Sequence, residues 1–148
     1  MLRWVLAVLH LLALPLGLGA IWLRGRGLAA VRTPADLPPV FRADNVWGLA
    51  AALWIATGVW RLLAGLEQPT SYYLHDRMFY AKMALFLVIL LLELWPMITL
   101  IRWRAAAHQG RPVILTTAPT LARISQVEAG LVVLIVFAAA AVARGFLY

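Results

Sequence analysis

The chain has no cysteine, and among its 148 residues there are only six acidic side chains and a single lysine. Without cysteine, disulfides and thiolate metal sites are excluded. The scarcity of charge excludes more. A soluble domain carries roughly a quarter of its residues as charged side chains, whereas here 13% are charged and 64% are apolar.

The apolar residues are clumped. Four nearly uncharged stretches, Trp4–Leu23, Val46–Leu66, Phe79–Ile101 and Ile124–Ala143, reach the length of about 20 residues that crosses a bilayer core. Thr117 and Pro119 set the start of the fourth helix ahead of its apolar run, near position 118. The fold class expected is all-α integral membrane, a four-transmembrane-helix bundle in one domain over 1–148, with the lipid bilayer as its surroundings. The first stretch mimics a signal peptide, with Arg3 before it and Gly19-Ala20 at its end. It is longer than a usual signal core and is followed by Arg24 and Arg26, like a stop-transfer flank, so it is read as a retained span.

The net charge of +7 comes from twelve arginines and one lysine. The arginines flank apolar spans, so they carry topology information and no nucleic-acid partner is expected. Arg24, Arg26, Arg32 and Arg42 fall in the first loop, and Arg102, Arg104, Arg111 and Arg123 in the third. Only Arg3, Arg77 and Arg144 fall on the other side. This asymmetry places both termini outside the cytoplasm.

The connections carry boundary chemistry. Pro34, Pro38 and Pro39 forbid a continuous helix through the first loop. Asp44 or Asn45 is a side-chain acceptor for the start of the second helix, and Asp76 for the third. Trp4, Trp22, Trp47 and Trp103 sit at span ends, where indoles favour the interface. Trp54 and Trp60 lie deeper and are expected between helices. Gly48, Ala52 and Ala56 form a small-residue row that permits close helix approach. Tyr72 and Tyr73 read as an aromatic belt or a pocket cover.

Five ionisable residues fall inside the spans: His10, Arg61, Lys82, Glu93 and Glu128. Each costs roughly 2.5–3.5 kcal/mol on insertion scales, so such groups mark function or pairing. At about 1.5 Å per residue, His10, Arg61 and Lys82 come out roughly 9, 8 and 5 Å below the outer boundary of the core. Three nitrogen-bearing side chains from three helices thus share a level. Glu93 and Glu128 fall in the inner half. Lys82 and Glu93 share a face, as do His10, Leu14 and Gly17, and Gly17 leaves space beside the imidazole.

Each residue also has a structural reading. Arg61 and Lys82 can snorkel to the interface. The two glutamates can pair with an arginine or stay protonated, and His10 can make an interhelical hydrogen bond. His75 and His108 lie in loops, and Met78, Met83 and Met97 read as packing residues.

The runs Asp44-Asn45-Val46-Trp47-Gly48, Gly58-Val59-Trp60-Arg61, Tyr72-Tyr73, Phe79-Tyr80-Ala81-Lys82-Met83 and Trp95-Pro96 resemble a bacterial family of small four-span membrane proteins known as a domain of unknown function (DUF2214). More distantly, the chain resembles the HemJ-type protoporphyrinogen oxidases and the CopD-type copper-resistance membrane proteins. In the HemJ type a histidine early in the first helix and a lysine early in the third form the functional pair, and haem b is bound. His10 and Lys82 fall on those positions, and the Gly58/Arg61 region is similar to its second helix. The tryptophan-rich opening of that family is absent here, and Glu93 stands in the region of its later helix-three histidine.

The resemblance implies a bacterial inner-membrane protein binding haem b or a related porphyrin in the outer half of the bundle. His10 is then the metal ligand, with Arg61, Lys82 and Trp54 binding the cofactor and Lys82 the catalytic candidate for HemJ-like oxidoreductase chemistry. An imidazole is a good axial ligand, Arg and Lys suit propionates, and Trp54 and Trp60 suit the faces of a macrocycle. The alternatives are copper or small-solute handling of the CopD type, and a structural subunit without catalysis. A homo-oligomer stays open beside each.

Overall fold

The computed structural model describes residues 1–64 and 77–144. Helix α1 runs Leu2–Ala30, α2 Leu37–Leu63, α3 Arg77–His108 and α4 Ala118–Ala143. All four are long and apolar enough to cross a membrane, and among the described residues there is no strand. The expectations for Tyr72, Tyr73, His75 and Asp76 lie outside the described residues.

Three helices run well past the apolar stretch that announced them. α1 continues from Leu23 to Ala30, α2 begins at Leu37 instead of Val46, and α3 continues from Ile101 to His108. Helical hydrogen bonding does not require apolar side chains, and the added segments are rich in good helix formers such as Ala, Leu and Arg. The helix is interrupted in the first connection, as the prolines require, but the break is short. Pro34 opens a 3-10 turn, Pro34–Asp36, and Pro38 and Pro39 sit in the first turn of α2, where a missing N–H costs nothing. Asp44 and Asn45 are therefore well inside α2 and do not cap it. Asp36 fastens the connection instead, its Oδ2 accepting from Arg32 N at 3.0 Å and Thr33 N at 2.8 Å. Gly110, at φ 64°, ends α3. Its N–H donates to Ala107 O while Arg111 N donates to Ala106 O, the paired bonds that a left-handed residue allows.

α1 packs against α2 on one side and α4 on the other, and α4 packs against α3. Between α2 and α3 the ring of helices is looser, and a cleft opens there. The close approaches of α1 depend on glycine. A Cβ on Gly17 would stand 3.2 Å from Trp47 Cζ3, and one on Gly25 would stand 3.2 Å from Ser125 Cβ. The space at Gly17 thus belongs to Trp47, not to His10. Gly48, Ala52 and Ala56 are exposed, and nothing lies within 4 Å of a Cβ built on Gly48. The small-residue row expected to draw helices together therefore faces outward.

Two apolar cores stack along the bundle. One gathers Ala20, Ile21, Trp47, Ile89, Ala129, Val132 and Ile135. The other gathers Leu28, Val31, Leu37, Val40, Leu100, Trp103, Leu121 and Ala122. Two indoles expected at the interface, Trp47 and Trp103, are core residues, whereas Trp60, expected between helices, faces out. Helical phase decides this: Trp47 falls on the α1 side of α2, and Trp60, thirteen positions on, does not. Trp4 and Trp22 face outward, as interfacial rings do.

Candidate functional site

The polar side chains inside the bundle form two layers. The helical rise puts His10 and Arg24, on the same helix, about 21 Å apart along α1.

The first layer borders the cleft between α2 and α3. His10, Trp54, Gly58, Lys82, Met83 and Phe86 are among its lining residues, and it encloses about 120 Å³. Gly58 brings α2 close to the imidazole, since a Cβ there would stand 3.1 Å from His10 Cε1. The Trp54 ring lies 5.7 Å from His10, tilted by 31°, and 5.7 Å from Phe86 in an edge-on arrangement. His10 Nδ1 is 2.9 Å from Thr57 Oγ1. The Thr57 hydroxyl has one proton, and its oxygen lies 2.7 Å from Leu53 O, one turn back on α2. A carbonyl can only accept, so Thr57 donates to Leu53. Nδ1 must then donate to Thr57, and in a neutral imidazole the lone pair falls on Nε2. The buried Trp54 Nε1 has no hydrogen-bond partner among the described residues.

Of the four residues expected to bind a cofactor, His10, Trp54 and Lys82 line this one cleft. Arg61, half-buried in the last turn of α2, is not among its lining residues.

The second layer was only half visible in the sequence. Glu93 and Glu128 meet there, facing protein, and both bind Arg24. Arg24 is 0% exposed, although it was expected to be a loop cation of the cytoplasmic side. All five of its N–H groups are used. Nε donates to Ser125 Oγ at 3.0 Å, Nη1 to Asp44 Oδ1 at 2.9 Å and Glu93 Oε1 at 2.8 Å, and Nη2 to Glu93 Oε2 at 2.7 Å and Glu128 Oε2 at 2.8 Å. Asp44 also accepts from Arg104 Nη2 at 2.6 Å, so Arg104 is likewise a bundle residue and not a loop charge. Arg104 lies over the Phe41 ring at 5.1 Å.

One signal in the sequence pointed here. Two carboxyls inside spans need cations, and Arg24 is one residue beyond the first apolar run. Ending that helix at the last apolar residue hid the partner.

The fold and these two layers define a four-helix membrane protein with an ion-paired interior and a separate aromatic cleft. A family model for a predicted membrane protein, DUF2214, matches residues 2–146, and the chain belongs to that family. No curated protein and no solved structure was found to match.

Proposed function

We propose that this chain is a bacterial inner-membrane protein that binds haem b or a related porphyrin at the α2–α3 cleft through His10. The observation that carries this reading is the Thr57 hydrogen bond to His10 Nδ1. Histidines that ligate metals are held by a partner on the other ring nitrogen, which fixes the tautomer and the ring orientation. The Thr57 bond does this and directs the lone pair to Nε2. The Trp54 N–H, without a partner among the described residues, supplies a donor to an acceptor group on a ligand, and Lys82 a cation for a carboxylate.

Among the described residues no three His, Asp or Glu side chains are grouped to hold a metal ion. A porphyrin brings four ligand nitrogens of its own and asks the protein for one axial ligand, so this donor set suits haem better than bare copper. Small-molecule sites commonly span ~300–1,000 Å³, and the cleft encloses less. A whole macrocycle requires α2 and α3 to draw apart, and they are more loosely packed together than the helix pairs α1–α2, α1–α4 and α3–α4. When bound, haem would supply one-electron chemistry. His10 would hold it, Trp54 would lie against it, and Lys82 would pair with a propionate or carry a proton.

The test is the visible spectrum of protein purified from haem-replete cells. A Soret band that His10→Ala removes and His108→Ala leaves intact supports the reading. A well-expressed protein without a Soret band overturns it. Metal analysis of the same sample distinguishes copper handling, for which Met83 lines the cleft beside His10.

A further inference from the structure

Half of the acidic residues of this chain converge on one spot. Asp44, Glu93 and Glu128 all bind Arg24, while the remaining three, Asp36, Glu67 and Asp76, lie elsewhere in the sequence. The charged groups facing this spot come from every helix. α1 gives Arg24, α2 Asp44, α3 Glu93 and Arg104, and α4 Glu128, with the neutral Ser125 beside it. Three carboxylates face two guanidiniums, so with every group ionised the cluster carries one uncompensated negative charge.

That charge has nowhere favourable to reside. The apolar cores lie on both sides of the cluster, and an unpaired ion in such surroundings is heavily penalised. Arg24 cannot offer more, because its five donors are spent. Glu128 is fully buried, and among the described residues its Oε1 has no hydrogen-bond partner. Its other oxygen shares a single guanidinium nitrogen with Glu93 Oε2, at 2.8 and 2.7 Å. Two carboxyl groups thus converge on one N–H₂, one of them with an unused oxygen.

We propose that Glu93 and Glu128 hold one exchangeable proton between them, which makes the Arg24 cluster a proton-binding site within the membrane bundle. The proton cancels the excess charge and occupies the carboxyl pair at its unpartnered oxygen. Glu128 is sealed, whereas the Glu93 side chain is 17% exposed, so exchange with the surroundings runs through Glu93. The apolar core containing Trp47 and Ile89 lies between this site and His10. The proton site therefore stands independently of what the cleft binds.

Infrared difference spectroscopy on the full chain in lipid bilayers tests this. At about pH 8 an exposed carboxyl, with an ordinary pKa near 4.3, is ionised. The wild type should still show the carbonyl stretch of a protonated carboxylic acid, shifting in D₂O. Glu128→Gln and Glu93→Gln each remove one negative charge and leave a neutral cluster without a proton. Both should lose the band, and Asp36→Asn should keep it. If one glutamine variant does not accumulate, the other decides. Absence of the band in the wild type, or its survival in either glutamine variant, overturns the proposal.

Discussion

Arg24 and Glu128, 104 positions apart in the sequence, are joined by a 2.8 Å ion pair in which neither side chain is exposed. This contact ties the first helix to the last at the level where α2 and α3 also deliver their carboxylates. Its removal should affect the bundle as a whole. Arg24→Ala leaves Glu93 and Glu128 without their cation in an apolar interior, while Asp44 keeps Arg104, and should destabilise the protein by about 3–5 kcal/mol. Arg24→Lys keeps the charge but has three donors instead of five and no planar fork, so it should recover only part of the loss. Unfolding in a denaturing-detergent titration measures both. An alanine variant as stable as wild type would mean that the cluster is not formed in the bilayer.

Thr57→Val removes the acceptor that orients His10. Interhelical hydrogen bonds in membranes contribute about 1 kcal/mol, so the loss of stability should be small. Ligand retention at the cleft should fall far more, while Thr57→Ser, which keeps the hydroxyl, should behave as wild type. Soret absorbance per protein, read beside the unfolding midpoint, separates the two effects.

Two glycines should respond in opposite ways. Gly25 lies against Ser125 and the Ala122 carbonyl, with 3.2 and 3.4 Å available to a new Cβ. Gly25→Leu should force α1 from α4 and cost about 1–3 kcal/mol, as overpacking does. Gly48 has open space, and Gly48→Ala should stabilise by about 0.5–1 kcal/mol through helix propensity. Comparison of their unfolding midpoints checks the outward orientation of the Gly48 face directly.

Lys82 separates charge from proton chemistry at the cleft. Lys82→Arg retains a cation but does not deprotonate at accessible pH. Full ligand retention with full turnover in this variant would assign Lys82 to pairing with a carboxylate. Retention with lost turnover would assign it to proton transfer. Lys82→Ala should weaken retention less than His10→Ala, because an amine is a less usual axial ligand than an imidazole.

The expected orientation is open to test. With Arg24 and Arg104 engaged inside the bundle, six loop-side arginines are left against three, and the positive-inside rule predicts both termini outside the cytoplasm. A periplasm-active reporter fused after Tyr148 should be active and a cytoplasm-active one silent. The reverse pattern would invert both polar layers relative to the membrane without altering their geometry.

The four spans were legible because a bilayer imposes length and hydropathy on each helix separately, and both are local properties. Where a helix stops was not legible from hydropathy: α1, α2 and α3 continue into arginine-bearing segments, and the prolines of the first connection fit into the start of α2. The level shared by His10 and Lys82 could be counted along the helices, but the Thr57 partner of His10 depended on how α1 rotates against α2.

The sequence by itself determined a four-helix membrane protein of the DUF2214 family, and it singled out the buried glutamates as groups in need of cations. Only the tertiary structure decided which cation answers them. Arg24 looks like a topological arginine from its neighbours in the chain. It becomes the central ion-pair donor because helix rotation and packing bring Asp44, Glu93, Ser125 and Glu128 to its five N–H groups, and burial of charge is favourable only where every partner arrives at once.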